Sequence, residues 1–401
     1  MDLLHASLLR LRDFRILGLA VFFNSVGMVG EQVVLGWLTL ELTDSPLMVG
    51  VALGLRMAPL LLVGIPAGVI ADRVDRSRLL TASSAGMAGA SGAVGVLVLL
   101  GVAEVWHVLL LTFAAGCVRA LHQAARQSYA HDLVGAAHLV NGLALVGLAM
   151  RAGGLLGSLL IGALIARFGT GPAYLAVAAG YLSSAVTLFA APVRPRGTRP
   201  ADGSLWQNLV AFAGAVRRDR VLPLLMTLTA GAEILGFSHQ ALLPSLARDV
   251  LEVGPEGLGA MTAARSVGGI LGIICVAGLG QVGGNGVLLL SVLFVFGGSL
   301  VALGFAPSFL WVLLLLVLVN AMGALSDVLS QSLIQLAAPG GLQGRAGGAW
   351  VVAIGTGPLG QLQIGALASL LGVSAALVLS GLGLILLATA GALLFPRLRN
   401  L

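Results

Sequence analysis

The feature that most constrains this chain is the recurrence, from end to end, of apolar runs about 20 residues long, separated by short breaks of charge, Gly or Pro. A helix of about 20 apolar residues crosses the roughly 30 Å hydrocarbon core of a bilayer. An outer-membrane barrel would instead alternate apolar and polar residues in segments of about ten. Composition agrees with helices: 58% of residues are hydrophobic and 9% charged, against roughly 25% charged in soluble proteins. A soluble enzyme is excluded, and the chain reads as an all-α membrane protein. Gly supplies 57 of the 401 residues, which suits helices that approach closely through small residues in lipid.

Following the runs gives twelve transmembrane helices, near 15–40, 46–71, 78–101, 105–129, 139–166, 172–192, 221–246, 257–281, 285–305, 308–334, 345–370 and 374–395. The longest polar stretch, 193–220, falls between the sixth and seventh. It divides the chain into an N-terminal six-helix bundle (1–192), a cytoplasmic linker and a C-terminal six-helix bundle (221–401). All 22 basic residues are Arg. With both termini inside, 16 arginines lie in cytoplasmic segments and two, Arg167 and Arg248, in outer loops. That asymmetry is the positive-inside pattern of an inner-membrane protein. The first span, preceded by Arg10, Arg12 and Arg15, is expected to stay as a helix rather than be removed as a signal peptide.

Several functions fall away at this stage. The arginines are spread over short loops and form no patch for nucleic acid. Cys117 and Cys275 lie inside apolar runs and suggest neither a disulfide framework nor a metal site. The histidines show no ligand spacing, and no Gly-Lys-Ser/Thr loop cradles a phosphate. No metal and no cofactor is expected.

The halves resemble each other at an offset of a little over 200 residues. The fifth span reads Gly154-Leu-Leu-Gly157-Ser-Leu-Leu-Ile-Gly162-Ala-Leu, and the eleventh Gly357-Pro-Leu-Gly360-Gln-Leu-Gln-Ile-Gly365-Ala-Leu. Gly50 precedes Arg56 by six residues, as Gly259 precedes Arg265, and Gln127-Ser128 is echoed by Gln331-Ser332. Gly154, Gly157, Gly357 and Gly360 are therefore candidate helix-packing glycines. Six helices duplicated in parallel are an arrangement shared by many transporters.

Between the second and third spans stands Gly68-Val-Ile-Ala-Asp72-Arg73-Val-Asp75-Arg76-Ser-Arg78. This stretch resembles the loop signature of the major facilitator superfamily. The resemblance implies two pseudo-twofold related six-helix bundles, and a gating role for Gly68, Asp72, Arg73, Arg76 and Arg78 in closing the cytoplasmic side. Glu41-Leu-Thr-Asp-Ser-Pro46, Ala125-Arg126-Gln127, Asp132-Leu133-Val134 and Gly344-Arg345 are similar to the branch of small exporters that includes macrolide efflux proteins and the enterobactin exporter. One departure stands out. Drug antiporters of the superfamily often carry Gly-Pro in the fifth span, whereas here that span has Gly153-Gly154 and the Gly357-Pro358 pair is in the eleventh.

A charge at bilayer depth costs a few kcal/mol even on insertion scales, so ionisable residues inside spans are candidates for function. The acids are Glu31, Glu233 and Asp327; the bases are Arg56, Arg119, Arg151 and Arg265. Glu31 could bind a cationic group, take up protons, or form a structural pair with an Arg. Arg119 resembles the buried Arg of a second superfamily motif linked to proton movement. His239 is a further proton-carrier candidate or a satisfied structural His. Arg56 and Arg265 occupy matching places in the two halves, and Arg151 lies among glycines of the fifth span; which acid pairs with which Arg is left open.

These readings converge on a monomeric secondary transporter in the lipid bilayer, exporting a small amphipathic molecule by alternating access, with protons as the coupling ion. A lipid or metabolite transporter without proton antiport has the same spans, and so does a non-transporting scaffold.

Overall fold

The computed structural model describes residues 12–134, 139–190, 221–279, 285–337, 350 and 352–394. Among them every regular element is helical. In chain order the helices are α1 (Arg12–Thr43), α2 (Pro46–Arg73), α3 (Arg76–Leu99), α4 (Val105–Val134), α5 (Leu139–Phe168), α6 (Thr170–Phe189), α7 (Val221–Gly231), α8 (Gly254–Leu279), α9 (Asn285–Gly304), α10 (Phe309–Ala337), α11 (Gly357–Leu371) and α12 (Val373–Leu394). Ten of the described helices are long and apolar enough to cross a membrane. The linker 193–220 and Arg345 lie outside the described residues.

Two elements differ from the sequence expectation of unbroken helices. The span expected at 221–246 is continuous α-helix only to Gly231; a π turn (Ala232–Gly236), a 3-10 stretch (Phe237–Leu242), one α turn and a second π turn (Leu246–Val250) follow. Packing accounts for this. Phe237 and Phe296 meet edge to face with centroids 5.6 Å apart, and bare Gly236 and Gly323 admit their rings. Pro244 adds a residue without an amide donor. The second is the expected helix 345–370. It is interrupted at Gly355-Thr356, and α11 starts at Gly357 with Pro358 in its first turn, where a missing N–H costs no helical hydrogen bond.

The repeat is visible in the backbone. A single residue, Gly169, joins α5 to α6, and a single residue, Gly372, joins α11 to α12; their φ values are +82° and +88°. A side chain is strained in that left-handed region, so both positions call for Gly.

The described chain forms two compact units. Unit one comprises Met1–Asp44, Leu55–Ala201 and Gly254–Ala263, and unit two comprises Ser45–Gly54, Asp202–Val253 and Ala264–Leu401. Each half of the chain thus gives one helix end to the other half's unit. In unit one α8 crosses α5 at Gly259 and Gly162, where a Cβ on Gly162 would stand 2.9 Å from the Cα of Gly259. In unit two α2 crosses α11 at Gly50 and Gly365, where a Cβ on Gly365 would stand 3.3 Å from the Cα of Gly50. These four glycines are two repeat-related pairs. In lipid there is little hydrophobic drive between helices, so such close backbone contact is what holds them.

Candidate functional site

Glu31 lies in the middle of α1 with its side chain only 4% exposed. Three other helices of unit one each bring one group to it. Arg119 on α4 donates to Glu31 Oε2 at 2.5 Å, and the Tyr181 hydroxyl on α6 donates to the same oxygen at 2.5 Å. Arg56 on α2 places its Nε 3.9 Å from Glu31 Oε1 and donates a hydrogen bond to the carbonyl of Met28 at 2.7 Å.

Small residues make this meeting possible. A Cβ on Gly27, one turn before Glu31, would stand 2.9 Å from Tyr181 Cδ1, so the bare position lets the Tyr ring lie flat on α1. A Cβ on Gly116, one turn before Arg119, would stand 2.8 Å from Pro59 Cγ and 3.0 Å from the carbonyl of Arg56. α4 and α2 therefore touch at the level of the two arginines. At about 4 Å and an effective dielectric near 20, one ion pair is worth about 4 kcal/mol, which offsets a large part of the few kcal/mol that each charge costs at bilayer depth.

Tyr174, two turns before Tyr181 on the same face of α6, is buried as well. Its ionisable neighbours are Glu31, Arg56 and Tyr181. Sequence reading missed both tyrosines. The available signal was their spacing: two of the chain's three Tyr residues stand seven apart on one helix, which puts them on one face.

Unit two carries Glu233, Asp327 and Arg265. Glu233, in the π turn after α7, feels the charge of Asp327 on α10. Asp327 accepts a hydrogen bond from Trp350 Nε1 at 3.1 Å. Arg265 on α8 donates to Asn320 at 3.4 Å. His239 is fully buried; its Nδ1 is 2.7 Å from the carbonyl of Gly236, and its Nε2 has no hydrogen-bond partner among the described residues. Among the described residues, the charge of Arg265 acts on it. Arg151 is half-buried on α5 and is not without a partner.

Gly68 and Asp72 lie near the end of α2, and the Asp72 side chain is outside the described ones. Arg73 and Arg78 are exposed, and Arg76 is half-buried. Asp75 caps α3: its carboxylate accepts the Arg78 amide at 2.9 Å, the usual service of Asp at a helix start. The turn between α2 and α3 is thus tied by a residue that the sequence analysis passed over. Among the packing glycines, Gly157 meets the backbone of Val26 on α1, and Gly360 meets Glu233 and Ile234 of the π turn. Gly154 is buried beside Gly157, and Gly357 opens α11. Among the described residues no group of three or more His, Cys, Asp or Glu could hold a metal ion.

Comparison with known proteins joins this geometry to a family. The chain is 27% identical over 410 residues to the Enterobactin exporter EntS of Shigella boydii, covering 99% of this chain and 95% of the relative. The enterobactin exporter of Citrobacter koseri is equally similar, 27% over 411 residues with the same coverage. Among solved structures, a peptide transporter POT in complex with sulfate superposes with a TM-score of 0.78 at 13% identity, covering 97% of this chain and 95% of the other. The nucleoside transporter NupG gives 0.77 at 13%, covering 96% and 99%. At such identities the structures speak for the fold alone. The family and these relatives are transporters rather than enzymes, and ten apolar helices make the chain a multi-pass membrane protein. Residues 5–400 match the Transmembrane secretion effector family, and the chain belongs to that family, within the major facilitator superfamily.

Proposed function

We propose that the protein is an inner-membrane secondary transporter that exports a small amphipathic compound by alternating access, in exchange for protons. The observation that carries the reading is the buried cluster of Glu31, Arg56, Arg119 and Tyr181 in the middle of unit one. Charges at this depth are costly to keep and mark substrate or ion pathways. The similarity to enterobactin exporters supports the outward direction.

Glu31 is already committed to two guanidinium groups and a phenol. Proton exchange therefore falls to Glu233 and Asp327, which stand within electrostatic reach of each other in unit two. In this reading both termini are cytoplasmic, Asp72 and its neighbouring arginines close the cytoplasmic side, and the protein works as a monomer.

Reconstitution tests the proposal. Proteoliposomes with an acidic interior should accumulate a fluorescent amphipathic probe, and a protonophore should abolish the accumulation. Glu233→Gln and Asp327→Asn should each remove gradient-driven accumulation while exchange of probe for probe continues. Accumulation that ignores the pH gradient in the native protein would overturn proton coupling.

A further inference from the structure

The cluster in unit one does not balance. Two guanidinium groups face one carboxylate, and the groups acting electrostatically on Arg56 are Arg119, Glu31, Tyr181 and Tyr174. Among the described residues Glu31 is the one acid in that set, which leaves one positive charge over. The unsatisfied atoms have the same character. Arg56 Nε, Arg119 Nε and the Tyr174 hydroxyl are buried without a hydrogen-bond partner among the described residues. The two Nε atoms can only donate, and a phenol donates readily. What the cluster lacks is an acceptor carrying negative charge. Exposure points the same way: the arginine side chains are 11% and 14% exposed, and that of Glu31 4%. The arginines are thus the less deeply buried members of the cluster.

From this we infer that the cluster is an oxyanion subsite: it binds a carboxylate or a similar oxyanion on the transported molecule, with Arg56 and Arg119 as the binding groups and Tyr174 as a further donor. Guanidinium is well suited to the task, because its planar fork matches the two oxygens of a carboxylate. Glu31 is then a positioning residue. It holds both arginines and Tyr181 in place and leaves one unit of positive charge for the ligand. A cationic substrate is disfavoured at this site, contrary to one of the roles open to Glu31 from sequence.

The inference deepens the transporter reading, and rests on it only in calling the ligand a substrate. The test is therefore a binding measurement in detergent. Three probes of one shape are compared by thermal unfolding: 2-naphthoate, 2-naphthylmethylamine and 2-naphthalenemethanol. Naphthoate should raise the melting temperature of the native protein in a saturable way, and the amine should not. Arg56→Gln keeps the neutral set of Glu31, Arg119 and Tyr181, so the protein should fold. Its apparent affinity for naphthoate should fall at least tenfold. Glu31→Gln should melt at a lower temperature without ligand and gain a larger shift from naphthoate than the native protein, because the anion replaces the lost carboxylate. Stabilisation by the amine equal to that by naphthoate, or undiminished naphthoate binding in Arg56→Gln, would overturn the subsite. Should Arg56→Gln fail to fold, the preference of the native protein decides alone. Naphthoate binding without uptake into proteoliposomes would remove export and leave the subsite; uptake of the amine or the alcohol without naphthoate binding would remove the subsite and leave export.

Discussion

Single side chains at bilayer depth answer to a simple rule: a buried charge survives only in company. Glu31 has three partners, each from a different helix. Its replacement by Gln abandons two guanidinium groups to each other. Breaking a buried ion cluster by removing one partner costs about 3–5 kcal/mol, and denaturant or thermal unfolding in detergent should read a loss of that size for Glu31→Gln. Tyr181→Phe removes one hydrogen bond to a charged group and keeps the ring packed on Gly27; the expected loss is about 1.5–3 kcal/mol, measured in the same way. Glu31, Arg56 and Arg119 were legible in the sequence, because any ionisable residue inside an apolar run stands out. Their grouping was not. Two of the three partners of Glu31 are 88 and 150 positions away, and nothing local encodes such a contact. Tyr181 was hidden for another reason, since an aromatic residue in a span is unremarkable until an acid is found opposite it.

Whole helices tell a different story, in which glycine spacing carries most of the information. On α5, Gly157 lies against α1 so closely that a Cβ there would stand 2.8 Å from the Cα of Val26, while nothing lies within 4 Å of Gly147 on the same helix. Gly157→Ala should therefore destabilise by about 1–3 kcal/mol through forced backbone movement, whereas Gly147→Ala should stabilise by about 0.5–1 kcal/mol through helix propensity alone; the opposite signs of the two melting-temperature shifts separate close packing from propensity. The matching glycines of the fifth and eleventh spans and the shared places of Gly50 and Gly259 were readable as a repeat, and they became the two crossings of α5 with α8 and α2 with α11. The breaks in the seventh span were not readable. A π turn depends on which ring sits against Gly236, and that ring belongs to Phe296, some 60 residues on. Such turns gather at functional sites, and here one carries Glu233.

For the molecule as a whole, the arginine asymmetry leads to a topological expectation. Reporter fusions at either terminus and within 193–220 should all report the cytoplasm, and a reporter in the α5–α6 turn the opposite face; a linker found outside would reverse the orientation and the direction of transport proposed above. The exchange of helix ends between the two units has a consequence for the order of events at the ribosome. Residues 45–54 belong to unit two, where the amide of Leu47 donates to Ser369 Oγ at 3.1 Å. The docking surface for α2 on α11 is therefore made more than 300 residues after α2 itself. At a synthesis rate of about 5–20 residues per second, the Gly50 face waits roughly 15–60 s in the bilayer for its partner. Throughout that interval the nascent chain is an incomplete membrane protein with a close-packing surface open to lipid or to other helices, and every truncation short of α11 leaves it permanently so.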